Sequence, residues 1–318
     1  MLKIRWKTQK PFQRLLLGLL LFVTATQCNN PFAPAPDETV VDLEASTPIL
    51  APENRPPDLL DEVEARGYIK VGVRVWPDAV FQPPLFRSPL AGLEGYEVDL
   101  AWAIANGLGV ELEMAESDPR RLAGGNWAGE WDIALAWLPI TDNAQQSLIF
   151  SMPYAYDAGQ IAVHEDNASI TGLNSLAGKK VGLPAFTLYQ QILSGQSLSL
   201  DGQYISGSLP SDMEVVTYIR DGNALRDLAE GDGVQLDAAL HSRLVLKSAI
   251  RHDLPIKIVS APLFQTPIGV AFDRHGPSSE RLRIKIDEIL ARLHEEGIQS
   301  ESALKWYEED ITKAPEGD

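Results

Sequence analysis

The sequence predicts an α/β fold of two lobes with a cleft between them, and three observations support this prediction. Strand-like and helix-like segments alternate from about residue 58 onwards, which is typical of α/β proteins. A fresh strand begins at 178-GKKVGLPA-185, as expected for the start of a second lobe. The later strand 267-PIGVAFD-273 is followed by a long terminal helix, which indicates a return to the first lobe. Two crossover strands would connect such lobes, and clefts between lobes commonly hold small ligands.

The individual elements follow from local signals. Apolar residues at three- and four-residue spacing predict helices, and a glycine after the last turn marks a helix end. The predicted helices are 59-LLDEVEARG-67, 96-YEVDLAWAIANGLG-109, 187-TLYQQILSG-195, 223-NALRDLAEGD-232 and 278-SSERLRIKIDEILARLHEEG-297. β-branched and apolar runs predict the strands YIKVGVRV (from residue 68), VELEMAE (110), WDIALAW (131), QIAVHE (160), KKVGLPA (179), MEVVTYI (213), LDAALH (236) and PIGVAFD (267). Their alternation with helices predicts mainly parallel sheets.

The composition is that of a globular, acidic protein. The chain has 318 residues, 45% of them hydrophobic and 22% charged, with a formal net charge of -17. The first 28 residues carry only basic charges, so the remainder is more acidic still. Such a surface repels phosphate backbones and anionic membranes, so we expect no nucleic-acid partner.

The N-terminus has the three parts of a bacterial export signal. A basic segment at 1–14 precedes the apolar run 15-LLLGLLLFV-23, which is too short to cross a membrane comfortably. Cys28, the only cysteine, follows at a position that resembles a lipoprotein acceptor. Residues 1–28 therefore predict lipidation at Cys28, a plain cleaved signal or an uncleaved anchor, and all three place the body outside the cytoplasmic membrane.

Residues 29–57 are rich in proline and acids and lack helical or strand periodicity. They predict an extended tether between the N-terminal anchor and the folded body.

The sequence contains no recognisable enzyme motif. The histidines show no metal-ligand spacing, and neither a phosphate-binding glycine loop nor a G-x-S-x-G elbow occurs. We therefore expect no catalytic residue, no metal and no cofactor, and a protein that is not an enzyme.

A series of short motifs resembles one family along residues 60 to 308. The motifs are 67-GYIKVGVRVWPD-78, 92-GLEGYEVDLAWAIANGLG-109, 131-WDIALAWLPIT-141, 149-IFSMPY-154, 176-LAGKKVGLPAFT-187, 225-LRDLAEGDGVQLDAAL-240 and the segment from 266 to 307. In order and spacing they are similar to bacterial extracellular solute-binding proteins of family 3, the polar amino acid type.

The resemblance implies a type II periplasmic-binding-protein-like clamp that closes on one small solute. Lobe 1 would comprise residues 59–155 and 267–318, and lobe 2 residues 156–266. It also implies a monomeric, membrane-anchored receptor in the periplasm or at the cell surface, with the permease and ATPase of an ABC importer as partners.

The positions that grip an amino acid in such proteins differ here. The carboxylate-binding Arg corresponds to Ala144, the nearby hydroxyl position to Pro139, and the amine-binding Asp to Ser242. We therefore expect ordinary α-amino acids to bind weakly, unless a relocated Arg takes over. Arg74, Arg87 and Arg243 are the bases closest in sequence to segments that would face the cleft.

Aromatic and polar residues stand in place of the usual contacts. Such rings suit an apolar, aromatic or amine solute, although each is also a plausible core residue. Tyr154 at the first crossover belongs to the same ring set, and His241 could instead be a satisfied structural histidine. The candidate ligand-binding residues are Trp76, Phe81, Trp137, Thr141, Phe186, Thr187, His241 and Ser242.

The favoured function is capture of a small amino-acid-like, amine or aromatic solute for an ABC importer. The alternatives are a ligand-sensing clamp, a degenerate clamp without a transport role, and a dehydratase-like enzyme on the same fold.

Overall fold

The computed structural model describes residues 3–6, 58–76, 84–88, 92–185, 187–193, 210, 212–219 and 222–313. The helices there are α1 (Leu59–Arg66), α2 (Tyr96–Leu108), α3 (Pro119–Gly124), α4 (Leu188–Leu193), α5 (Asn223–Ala229), α6 (Arg243–Arg251), α7 (Glu280–Glu295) and α8 (Ile298–Tyr307). The strands are β1 (Lys3–Trp6), β2 (Tyr68–Val73), β3 (Phe86–Ser88), β4 (Gly92–Glu94), β5 (Glu111–Glu116), β6 (Ile133–Leu135), β7 (Leu148–His164), β8 (Lys180–Pro184), β9 (Glu214–Tyr218), β10 (Ala238–Ser242), β11 (Ile256–Ile258) and β12 (Phe264–Asp273).

Local capping explains where the first helices begin and end. Asp58 caps α1 by accepting a 3.0 Å hydrogen bond from the backbone N–H of Leu60. Gly67 ends α1 in the left-handed conformation with φ 75°, and Gly109 ends α2 with φ 73°. Both helix ends are where the sequence predicts them.

The main sheet is mixed. Its strands follow the order β1-β5-β2-β6-β12-β7-β10-β8-β9, with β11 paired to β7. Strand β2 is parallel to β5 and β6, and β8 is parallel to β9 and β10. The two central strands, β7 and β12, are antiparallel to each other. The expectation of mainly parallel sheets is therefore wrong at the centre. There the chain leaves along β7 and comes back along β12, and the two strands pair antiparallel.

Strands β7 and β12 are the two crossover strands. They pair from Leu148↔Asp273 at one end to Phe264↔Gly159 at the other. The predicted strand at residue 160 is the second half of β7, which spans 17 residues. That half pairs with β10 and β11, whereas β12 pairs with β6 nearer the other end.

Separate hydrophobic cores lie on the two sides of these strands. One combines α2 with the long helix α7, so that Ile104 and Ile289 are both buried in it. Two others contain Leu183 of β8 and Leu246 of α6. Each such side chain contributes about 1.5–3 kcal/mol when fully buried. The first lobe is thus discontinuous in sequence.

The C-terminal segment adds a further contact between the lobes. The backbone N–H of Tyr156 in β7 donates to the carbonyl of Ile311 at 2.8 Å. Glu309 pairs with Arg243 and, at 2.5 Å, with Lys247, and both bases belong to α6. The end of the chain therefore lies across the crossover region.

Lys3–Trp6, inside the predicted export signal, forms an antiparallel edge strand against β5. Cys28, the tether at 29–57, Phe81 and Phe186 lie outside the described residues. In the described part of the chain, no helix is both long and apolar enough to cross a membrane.

Candidate functional site

A cleft of about 390 Å³ opens at the crossover strands. It lies at the carboxyl ends of parallel strands from both lobes, because its lining includes Trp76 after β2, Trp137 after β6, Thr187 after β8 and Ser242 at the end of β10. Ligands of open α/β sheets bind at this edge.

The cleft brings together the predicted site residues that the structure describes. They are Trp76, Trp137, Thr141, Thr187, His241 and Ser242. Phe81 and Phe186 fall outside the described residues and keep the status of predictions. Residues that sequence reasoning did not select also line the cleft, notably Asp157, Tyr189, Phe264, Thr266 and Tyr307.

Trp137 is held in an unusual backbone conformation. Its φ of 53° lies in the left-handed region, which is rare for a large side chain. Its backbone N–H donates to Glu97 Oε1 at 2.7 Å, and its indole N–H donates to Asp157 Oδ2 at 3.1 Å. Two buried carboxylates thus fix this ring at the cleft, since backbone strain persists only where its surroundings enforce it.

Glu97 lies behind the cleft and is fully buried. Burial raises the pKa of Glu97 to about 7. Hydrogen bonds from Tyr154 and Trp137 and the positive charge of Arg74 act in the opposite direction but are outweighed. The hydroxyl of Tyr154 donates to Glu97 Oε1 at 2.5 Å. Tyr154 therefore belongs to the core behind the cleft, not to its ring set.

Asp157 is the buried acid on the floor of the cleft. Its carboxylate accepts hydrogen bonds from Trp137 Nε1, from Ser242 Oγ at 2.8 Å and from the N–H of Ala158 at 2.7 Å. Burial raises its pKa, although these donors and the charge of Arg243 oppose the shift. The sequence could have indicated Asp157 as a site residue, because it is the only acidic residue in the strand 148–164.

The three arginines proposed as relocated anchors differ in position. Arg74 lines the cleft, and its guanidinium carbon lies 3.4 Å from the ring centroid of Trp76. Arg87 forms a surface pair with Glu116 at 2.9 Å, and Arg243 pairs with Glu309. Of these three, only Arg74 contributes to the described cleft lining.

The hydroxyls of Thr141 and Thr187 each form a hydrogen bond within their own turn. Thr141 Oγ1 accepts from the N–H of Ala144 at 3.1 Å. Thr187 Oγ1 donates to the carbonyl of Pro184 at 2.7 Å. Both side chains face the cleft with acceptor lone pairs to spare, since a hydroxyl has two.

His241 lies in an aromatic environment. Its ring centroid is 6.1 Å from that of Tyr189, and its Nδ1 accepts from the N–H of Ser242 at 2.8 Å. This geometry suits a neutral imidazole with Nδ1 as acceptor. Within the described ranges, His, Cys, Asp and Glu side chains form no group suited to hold a metal ion.

Comparisons with known proteins agree with this geometry. Residues 73–309 match the family model described as bacterial extracellular solute-binding proteins, family 3. The chain is 27% identical over 257 residues to the L-cystine-binding protein TcyJ of Escherichia coli (strain K12), covering 80% of this chain and 88% of that protein. It is also 27% identical over 221 residues to the probable amino-acid-binding protein YxeM of Bacillus subtilis (strain 168), covering 69% and 78%.

A solved structure shows the same fold. It is that of AbpA, an amino acid ABC transporter substrate-binding protein from Streptococcus pneumoniae Canada MDR_19A bound to L-arginine. The TM-score is 0.64 at 24% identity, with 80% of this chain and all of that chain covered. The predicted two-lobed clamp is thereby confirmed. Because the family model spans most of the chain, this protein belongs to the bacterial extracellular solute-binding proteins, family 3.

Proposed function

We propose that this protein is the extracytoplasmic receptor of an ABC importer and captures a small amino-acid-like solute that carries an anionic group. The observation that carries the proposal is the cleft, which presents Arg74 after β2 and Asp157 of β7 together with Ser242 and Thr187 from the other lobe. Relatives named as amino-acid-binding proteins support the ligand class.

The mechanism is hinge closure about β7 and β12. A solute that contacts both lobes has more partners in the closed form than in the open form. Its greater affinity for the closed form shifts the balance toward closure, as in other hinged clamps.

Arg74 takes the role of the carboxylate-binding arginine, whose usual position in the family is occupied here by Ala144. A guanidinium binds a carboxylate with two parallel hydrogen bonds, and each bond to a charged group is worth about 1.5–3 kcal/mol. Stacking on Trp76 places the guanidinium at the wall of the cleft. We therefore assign the solute's anionic group to Arg74.

The N-terminal segment serves delivery and anchoring in this proposal. Residues 1–28 direct export, Cys28 accepts lipid and residues 29–57 tether a monomeric body to the membrane beside its permease and ATPase. The basic segment, short apolar run and lone cysteine support this assignment. Labelled fatty acid should be incorporated into the wild-type protein in cells and not into Cys28→Ala.

Isothermal titration of the full-length protein against the common L-amino acids and related carboxylates tests the binding role. We expect saturable, one-site binding of at least one of them. Failure of every compound to bind would overturn the proposal and favour a degenerate clamp.

A further inference from the structure

Asp157 and Thr266 are neighbours on the floor of the cleft. They are register partners across the antiparallel pair β7–β12, so their side chains project from the same face, about 5 Å apart at Cβ. Both line the cleft and both are buried, at 6% and 3% exposure.

Two hydroxyls of this floor have no hydrogen-bond partner among the described residues. They are Thr266 Oγ1 and the hydroxyl of Tyr307, and both residues line the cleft. Tyr307 is 2% exposed, and its ring centroid lies 6.2 Å from that of Trp137. Buried polar atoms are normally paired, so two unpaired ones on a ligand-sized cleft indicate atoms that a solute would satisfy.

Asp157 has unused acceptor capacity, and no described residue forms a direct ion pair with it. An ionised carboxylate offers about four lone-pair sites, and the bonds from Trp137, Ser242 and Ala158 occupy three. Arg243 contributes charge nearby, but its guanidinium is committed to Glu309. Burial disfavours the charged form of this carboxyl, and a cation bound beside it would favour the ionised form.

Tyr307 lies within the electrostatic reach of Asp157. Burial raises the pKa of Tyr307 well above its ordinary value, and the negative charges of Glu97 and Asp157 add to this shift. The phenol is therefore neutral, and its oxygen is an acceptor that can share one donor group with Asp157.

We propose that Asp157, Thr266 Oγ1 and the Tyr307 hydroxyl form a binding site for a primary ammonium group of the solute. This proposal rests on the proposed function and names the second charged group of the ligand. A primary ammonium has three N–H donors, one for each of these three oxygens. The indole of Trp137, which donates to Asp157, borders the site and lies 6.2 Å from the ring of Tyr307.

The arrangement selects against related groups. A quaternary ammonium carries positive charge but no N–H, so it leaves both hydroxyls unpaired. A 2-hydroxy analogue can donate a hydrogen bond but carries no positive charge to pair with Asp157. Sites built to bond a donor reject analogues that lack it, because the buried partners are then left unsatisfied.

The first experiment titrates the full-length protein with common L-amino acids and simple primary alkylamines. Each binder is then compared with its N-trimethyl analogue and its 2-hydroxy analogue. We expect the primary amine to bind at least about tenfold more tightly than either analogue. Equal or tighter binding of an analogue would overturn the ammonium site while leaving the solute-receptor proposal intact. If amine-free carboxylates bind but no primary amine does, the ammonium site is likewise overturned and the solute-receptor proposal stands. If no compound binds, both proposals are overturned.

Two near-isosteric variants, Thr266→Val and Tyr307→Phe, locate the site. Each should weaken binding of the primary amine by about tenfold and narrow its advantage over the N-trimethyl analogue. Both should keep or raise the melting temperature of the solute-free protein, because the hydroxyl that is removed has no partner there. If the two hydroxyls had a purely structural role, the variants would lower the melting temperature and leave the affinity for the primary amine unchanged. Thr312→Val removes a buried threonine hydroxyl outside the cleft lining that donates to Asp310 at 2.6 Å. This control should lower the melting temperature and leave solute affinity unchanged.

Discussion

The indole N–H of Trp137 donates a 3.1 Å hydrogen bond to Asp157, which joins the turn after β6 to the crossover strand β7. The other oxygen of the same carboxylate accepts from Ser242 of β10 at 2.8 Å. One buried acid at the hinge therefore contacts a residue on each side of the cleft. The same carboxylate thus joins the turn after β6, the crossover strand β7 and the end of β10.

Replacing Trp137 with Phe removes this donor while keeping an aromatic ring. The free energy of unfolding should fall by about 1.5–3 kcal/mol, because a bond to a charged group is lost. Solute affinity should also fall, since the ring and Asp157 lose their alignment. Urea denaturation and calorimetric titration measure the two effects.

Trp306→Phe is the matched control for that variant. Its indole N–H donates to Asp99 at 2.8 Å, and Trp306 does not line the cleft. It should lower stability by a similar amount and leave solute affinity unchanged. Loss of affinity in both variants would show that general destabilisation, not the cleft contact, is responsible.

Arg74→Gln should weaken binding of a carboxylate-bearing solute by about tenfold or more, because the charged bonds to the guanidinium are lost. Arg87→Gln removes an arginine that is paired at the surface with Glu116 and should have little effect. Calorimetric titration of both variants provides the comparison. Equal affinity in Arg74→Gln and wild type would place the carboxylate anchor elsewhere.

Glu97 should make stability depend on pH. Its pKa is about 7 in the folded protein against an ordinary value of 4.5, so between these values the folded state holds a proton that the unfolded chain releases. Stability should therefore fall as pH rises from 4.5 to 7 and change no further above that range. At 1.36 kcal/mol for each pKa unit, the loss is about 3 kcal/mol.

Glu97→Gln mimics the protonated acid and should remove this slope. Chemical denaturation across the pH range should show the variant gaining stability relative to wild type as pH rises. Glu62→Gln changes an exposed acid of α1 and should give a profile parallel to that of wild type. Parallel profiles for Glu97→Gln and wild type would refute the raised pKa.

Gly159→Ala should disturb the crossover strands. A Cβ at this position would lie 2.3 Å from Cζ of Phe264, which lines the cleft. Overpacking of this kind costs about 1–3 kcal/mol, and displacement of the ring should also weaken solute binding. Gly124→Ala in α3 meets no atom within 4 Å and serves as the control for a neutral substitution. Thermal denaturation distinguishes the two, and an unchanged melting temperature in Gly159→Ala would contradict the close packing.

Much of the fold could be predicted from local signals. The caps at Asp58, Gly67 and Gly109 delimit α1 and α2 without reference to the rest of the chain. Helices α3, α6 and α8, the β3–β4 hairpin and strands β1 and β11 were not predicted. Helix α6 begins directly after β10, so its apolar periodicity merges with that of the strand.

The floor of the cleft could not be predicted in this way. Asp157 and Thr266 meet only because β7 and β12 pair antiparallel in one particular register. Tyr307 reaches the same place from the end of α8. Register between strands so far apart in sequence is set by tertiary packing, which local periodicity does not record. Trp137 and Ser242 could be selected from the sequence, because Trp137 lies two residues after β6 and Ser242 ends β10.

Small-angle X-ray scattering of the full-length protein, before and after addition of a calorimetrically identified solute, tests the central claim most directly. A solute that draws both lobes together about β7 and β12 should lower the radius of gyration, and Arg74→Gln should need more solute for the same change. An unchanged radius of gyration at saturating solute would contradict the closing clamp.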